Sequence, residues 1–490
     1  YLKDKAQFSY TNVKASVLAT IAPFETPDFN YYNLLPHTYL PHTPAVAVAD
    51  VNKDGIADIY VGGIPGEEKY ILAGNKDGKF TKVTVGAFAA AKEQGDIAAQ
   101  WTDVNNDGLP DLVVINTNHP FIEMEKALQP RLYINKGNNE FEYKALPKIN
   151  TLAAHILAYD FNGDGLQDLF FTSAVNFRDY TMDATSAILI NQGNGNFIPS
   201  AKADYAALKS IRFITGISTA DIDHNGVADI IISSEWQPVQ LFLNKGKKLV
   251  KFTSPVLDKE QGWWQSATVT DVDGDGKADL IAGNWGENNK YNVNNGQPLY
   301  AYNNDVDNDG KHDLLLSYFY KEQYYPFRPK NDLEQELPYL KKEFLSFQKM
   351  AGKTTDEIFK DKISKTGRLE ANQFSSIFIS DILNAKKVTV LPYLYQQAPV
   401  RSVIPLNNTR GDILLNGNFW GVVPYEGKYD ALGLVTTHFD KQSGQLSAPE
   451  YWLNDMLNPQ EIDHLYPYKT LTGNSFVLTT YDGRLMLLTK

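Results

Sequence analysis

One nine-residue acidic pattern recurs six times between residues 50 and 313, and its spacing commits the chain to a repeat architecture. The copies read DVNKDGIAD at 50–58, DVNNDGLPD at 103–111, DFNGDGLQD at 160–168, DIDHNGVAD at 221–229, DVDGDGKAD at 271–279 and DVDNDGKHD at 305–313. Successive copies start 53, 57, 61, 50 and 34 residues apart. A unit of this length cannot bury both of its faces alone, so it must stack on neighbours in a ring or a line.

Each copy has oxygen-bearing side chains at positions 1, 3, 5 and 9 and glycine at position 6. Hard cations take six to eight oxygens, and alternate residues of a tight turn can aim them at one centre, with a main-chain carbonyl at position 7. The candidate ligands of the first three turns are Asp50, Asn52, Asp54, Ile56 and Asp58; Asp103, Asn105, Asp107, Leu109 and Asp111; and Asp160, Asn162, Asp164, Leu166 and Asp168. Those of the last three are Asp221, Asp223, Asn225, Val227 and Asp229; Asp271, Asp273, Asp275, Lys277 and Asp279; and Asp305, Asp307, Asp309, Lys311 and Asp313. Up to six calcium ions are expected. The competing reading is six plain Asx-Gly turns without metal. Charge weighs against it, because carboxylates this close repel unless a cation sits between them. A helix–loop–helix calcium hand needs Glu at position 12, where this chain has apolar or small residues.

The flanks read as strands, with alternating runs such as AVAVA at 45–49 before the turns and apolar runs such as DLVVI at 111–115 after them. A second Gly/Asn-rich hairpin follows in most units, as in RLYIN and EFEY around residues 131–143. Strand, acidic turn, strand and hairpin make one four-stranded antiparallel blade. The expected class is all-β, a closed β-propeller of seven or eight blades, with the inner-strand count favouring eight. Two further units without the acidic turn lie near 401–415 and 464–488, and a strand near residues 8–12 is expected to complete the last blade and close the ring. The chain reads as a single propeller over 1–490, with 1–44 as lead-in and ring-closing strand.

Residues 331–370 break the β pattern. Leu337, Leu340, Phe344, Phe347 and Met350 recur at helical steps, Gly352 can stop that helix, and TTDE at 354–357 has the form of a capping box. This predicts a helical insertion between the second and third strands of a blade.

The repeats resemble the FG-GAP/VCBS family, the calcium-turn propellers related to the integrin α-subunit head. Segments such as LLPHT at 34–38 and AGNWG at 282–286 are similar to large bacterial surface proteins of that family that often carry an ASPIC/UnbV segment. The resemblance implies a propeller, calcium, and an extracellular or outer-membrane setting on a Gram-negative bacterium. It implies a binding or assembly module for a glycan, peptide or protein partner, such as an accessory subunit of a TonB-dependent outer-membrane importer. Alternatives are a carbohydrate-active enzyme such as a polysaccharide lyase, and a structural propeller of a larger protein.

Composition fits this reading. The net charge is −12, but the six turns alone hold twenty Asp, so all other charges sum to +8, and six divalent ions bring the whole to about zero. The acidity is therefore a local property of the turns. No basic stripe marks a nucleic-acid partner, no apolar run of about 20 residues marks a membrane span, and there is no cysteine to form a disulfide. No nucleophile elbow or phosphate loop occurs, so no catalytic residue is assigned. Loops on the face opposite the acidic turns hold Trp236, Trp263, Trp264, Trp285, Trp420 and Tyr425, a candidate aromatic platform for a ligand. The same Trp residues also suit wedges between blades.

Overall fold

The computed structural model describes residues 9–24, 29, 33–39, 41–116, 129–149, 151, 153–173, 185–201, 203–246, 248–293, 296–310, 312–365, 367–406, 411–457, 460–469 and 474–489. Among these, the strands build seven blades around one axis. Blades one to four occupy residues 46–84, 96–145, 153–199 and 214–251. Blade five runs 266–283 and resumes at 377–390, and blades six and seven occupy 402–453 and 462–489.

Strand periodicity explains the ring. Alternate side chains leave opposite faces of a strand, and each second strand has an apolar centre and is buried along its length because both of its faces meet a neighbouring blade. In blade two, Leu112 and Val114 pack with Tyr60 and Ile71 of blade one. Their neighbours Val113 and Ile115 pack with Leu169 and Phe171 of blade three. The same alternation repeats until Val477 and Leu485 of blade seven meet Val46 and Ile59 of blade one.

The closing strand differs from the expected one. Lys14–Thr20 pairs antiparallel with Arg484–Thr489 and supplies the fourth strand of blade seven. Ser9–Asn12 instead runs parallel to Glu450–Leu453 at the rim of blade six, and Phe8 lies outside the described residues. The seam is thus a hydrogen-bonded join between the two ends of the chain. Beside it, Ile21 donates its N–H to the Gly483 carbonyl at 2.7 Å. Gly483 has φ +82°, and a Cβ there would lie 2.3 Å from the Ile21 oxygen. Gly483→Ala is expected to cost about 1–3 kcal/mol through left-handed strain alone, with the clash in addition. A lowered urea midpoint with faster proteolysis at 14–20 checks this; an unchanged midpoint refutes it.

The ring has seven blades rather than the favoured eight. The eighth inner-type strand, Leu299–Asn304, belongs to a separate sheet with Asp313–Tyr320, Gln323–Pro326 and Leu369–Ala371. That sheet lies within the excursion between the second and third strands of blade five, so the short 34-residue step marks an insertion. Blade five keeps its outer hairpin, Ile377–Ile379 with Thr389–Val390.

The expected helix of the insertion is broken into Lys330–Glu336, Leu340–Glu343 and Phe347–Met350. Pro338 cannot continue the first piece, and Ser346 caps the third and resets its phase. Leu337, Leu340, Phe344 and Met350 are buried as expected, but the reset leaves Phe347 60% exposed. The capping box does form: Glu357 N–H donates to Thr354 Oγ1 at 3.2 Å, and Thr354 N–H to Glu357 Oε2 at 2.7 Å.

Candidate functional site

Five acidic turns follow the inner strands of blades one to five and therefore share one face of the ring. The sixth belongs to the inserted sheet. Each turn is left-handed at position 4, with φ from 55° to 75°, and at the position-6 glycine, with φ from 83° to 87°. The glycine adopts the second of these without a Cβ penalty. The curl lays amide donors on the side-chain oxygens. Gly55 donates to Asp50 Oδ2 at 2.8 Å, Asp54 to Asn52 Oδ1 at 2.9 Å and Ile56 to Asp54 Oδ1 at 2.8 Å. Leu109, Leu166, Val227 and Lys277 repeat the last contact in their own turns, while Lys311 lies outside the described residues. A carboxylate offers about four acceptor sites, so these bonds orient it and leave capacity for a cation.

The position-9 carboxylate is the buried anchor. Asp58 accepts from Val51 N–H at 3.1 Å and from Gly74 N–H of the third strand at 2.9 Å, which ties the turn to the blade. Asp111, Asp168, Asp229 and Asp279 are held in the same way by Asn135, Asn191, Asn244 and Asp381. Burial, with a smaller contribution from the other carboxylates of the turn, pushes Asp58, Asp111 and Asp168 up to about 6 and Asp313 to about 7 against the pull of these amide donors. Asp229 and Asp279 are raised for the same reasons.

Among the described residues, three sets bring carboxylate oxygens within 4.8 Å of one another: Asp221, Asp223 and Asp229; Asp271, Asp273 and Asp279; and Asp305, Asp307 and Asp313. In the first three turns position 3 is Asn, whose amide oxygen replaces one carboxylate. Asp223 Oδ1 is buried without a hydrogen-bond partner, while Lys245 pairs with Oδ2 of the same side chain. An all-oxygen set with an orphaned carboxylate oxygen fits a hard divalent ion and offers no nitrogen or sulfur for zinc.

Sequence reasoning missed the latches between turns. Asn135 Nδ2 donates to the Val51 carbonyl of the preceding turn at 2.8 Å, and Asn191 Nδ2 to Val104 at 2.8 Å. The readable signal was an Asn-x-Gly at the end of each of these third strands, 135–137 and 191–193.

The opposite face opens into a cavity of about 940 Å³ at the mouth of the central channel. The starts of inner strands line it at Ile97, Ala154, Ile214 and Ser402. Its charged wall comes from blades six and seven. Arg401 Nη1 pairs with Glu461 Oε1 and lies 3.8 Å from Asp463 Oδ1. Glu461 Oε2 accepts from Trp420 N–H at 2.7 Å, and Asp463 Oδ2 accepts from Thr43 N–H and Oγ1, both at 2.9 Å. Burial, partly offset by Arg401, pushes Glu461 up to about 7. Burial also lowers His42 and His464, and takes His155 down to about 4. Across the cavity Glu235 is buried and bonded to His37 at 2.7 Å and Tyr39 at 3.0 Å.

The expected aromatic platform is not open. Trp236, Trp263, Trp264 and Trp285 are at most 3% exposed. Trp263 packs edge-on against Trp236 and Trp285 at 5.3 and 5.0 Å, filling the core beside the insertion, and Trp264 packs between blades four and five. These side chains wedge elements together because nothing smaller fills that volume. Trp420 alone among the five lines the cavity, and Tyr425 is exposed with its hydroxyl bonded to Arg328 and Asp332.

Comparison with a known repeat family agrees with the repeats read from the sequence. The chain carries FG-GAP-like repeats, matched at residues 50–114, 103–171, 160–232 and 226–282, which cover the first five acidic turns. It is 26% identical over 270 residues to cartilage acidic protein 1 of Mus musculus, a match covering 49% of this chain and 40% of that protein. The Xenopus tropicalis counterpart is 22% identical over 256 residues, with the same two coverages. The matched region thus spans about two-fifths of these relatives. Among solved structures, an ancestral GH74 enzyme aligns over 92% of this chain and 48% of its own at 12% identity and a TM-score of 0.43. Saccharomyces cerevisiae Sqt1 aligns over 98% of both chains at 10% identity and a TM-score of 0.40. No helix among the described residues is long and apolar enough to cross a membrane.

Proposed function

We propose that this FG-GAP-repeat propeller is a calcium-loaded binding or assembly module, held at a bacterial cell surface, that engages a glycan, peptide or protein partner. The observation behind this reading is the division of labour between the two faces. Acidic turns fasten the blades on one side, and a cavity with one charged wall opens on the other. Calcium would be held by positions 1, 3, 5 and 9 of each turn, and its charge would cancel the carboxylate repulsion there. Turns of this exposed kind suit the high calcium of an extracellular setting, where modules bind at about 10⁻⁴–10⁻³ M. A subunit of an outer-membrane importer is one assembly this reading extends to.

The test is affinity purification from the source membrane in calcium buffer, with bound proteins identified by mass spectrometry, beside a glycan array. Stoichiometric recovery of a transporter or adhesin, or a calcium-dependent glycan signal, supports the module. Recovery of the chain alone together with a blank array sinks it.

A second reading, a carbohydrate-active enzyme such as a polysaccharide lyase, draws on Glu461, a buried carboxyl near neutrality in a cleft. Its test is the release of unsaturated or reducing ends from a polysaccharide panel, with Glu461→Gln as the inactive control.

A further inference from the structure

We propose that the charged wall of the channel mouth is a binding site for a neutral saccharide. This deepens the binding-module reading and rests on it. The wall holds Arg401 and Lys428 as cations and Glu461 and Asp463 as carboxylates. Cationic donors and carboxyl oxygens stand side by side, so a simple anion meets Glu461 and Asp463, and a simple cation meets Arg401 and Lys428. A hydroxyl both donates and accepts, and a ring bearing several can satisfy guanidinium and carboxylate at once.

The surroundings match such a ligand. Lys428 Nζ lies 3.5 Å from the Trp420 ring, Trp420 lies 5.1 Å from Tyr481, and Tyr481 stacks on His42 at 3.8 Å with the planes 3° apart. This row of rings runs along the charged wall and gives it a stiff edge. The facing wall offers small and aliphatic groups, Ala98, Ala154, Gly216 and Ile217, suited to the apolar C–H face of a sugar, beside the polar side chains of Gln100 and Glu235. A volume of about 940 Å³ lies within the range of small-ligand sites. The carboxylates are already oriented: Glu461 by Arg401 and the Trp420 amide, and Asp463 by Thr43. They lose little freedom when a ligand arrives.

The experiment uses the whole chain in calcium buffer with neutral oligosaccharides as probes: cello-, malto-, xylo-, manno- and chito-oligosaccharides, each followed by isothermal titration and by the shift in melting temperature. Charged dipeptides form the comparison panel. The expected result is binding of at least one neutral series, weakened tenfold or more by Lys428→Ala and by Glu461→Gln. Lys428 is exposed, so its removal leaves the fold intact. Glu461→Gln keeps the shape of the side chain. Saccharide binding that neither variant changes overturns the site while leaving the module reading in place. Binding of the dipeptides alone overturns the ligand class. No binding by either panel, to a chain whose melting temperature still responds to calcium, overturns the site without touching the calcium reading.

Discussion

Excess chelator is expected to lower the melting temperature of the chain by more than about 10 °C if the acidic turns hold calcium as proposed. An ion that binds only the folded state stabilises it by about 2.7 kcal/mol per site when free calcium is a hundredfold above Kd. Each kcal/mol moves the midpoint of a mid-sized domain by about 2–4 °C, and several sites act together. The physical origin is the crowding of carboxylates within 4.8 Å, with an orphaned oxygen on Asp223, which folding without a cation must tolerate. The effect is also local. Asp273→Ala, which removes one candidate ligand, is expected to loosen blade five first, since blades touch mainly their neighbours, and hydrogen exchange would register it there. A scanning-calorimetry midpoint that stays put in chelator would falsify the calcium assignment.

Asp96→Ala is expected to destabilise the fold by about 3–5 kcal/mol, the usual cost of stranding one partner of a buried ion pair. Asp96 opens the inner strand of blade two and pairs through Oδ1 with Arg131, whose side chain is 3% exposed. Its Oδ2 accepts from Tyr60 at 2.8 Å and from Gly63 N–H at 3.2 Å, both in blade one. Arg131 also donates to Asn116 at 2.8 Å and Tyr133 at 3.2 Å, so it cannot swing out to water. One carboxylate therefore joins two blades and neutralises a buried guanidinium. Adding Arg131→Met to the Asp96→Ala variant recovers part of the loss, because the uncompensated charge is gone. Chemical denaturation measures both, and a loss below about 1 kcal/mol for the single variant rules the account out.

Neither residue of that pair stood out before folding. Asp96 follows a glycine in a polar stretch, and Arg131 begins an ordinary strand. Charged pairs across blades have no periodic signature, since the partners lie 35 residues apart and meet only when the blades pack. The tryptophans show the same limit from the other side. Trp263 and Trp285 lie in connections on the expected face, yet the inserted sheet and helices cover them, and composition alone could not distinguish an open platform from a wedge.

What the sequence determined by itself was whatever is local and repeated. Turn chemistry needs only nine neighbouring residues, strand pairing within a blade needs one hairpin, and the capping box at Thr354 needs four residues. These interactions close short loops, so their pattern survives as spacing along the chain. The tertiary structure decided what depends on contacts between distant segments. It set the blade count at seven by placing Leu299–Asn304 in an insertion, and it chose Lys14–Thr20 as the closing strand. It also gathered Thr43, Arg401, Trp420, Lys428, Glu461 and Asp463 at one channel mouth. Those six residues come from the lead-in and from two blades without acidic turns, and only closure of the ring makes them neighbours.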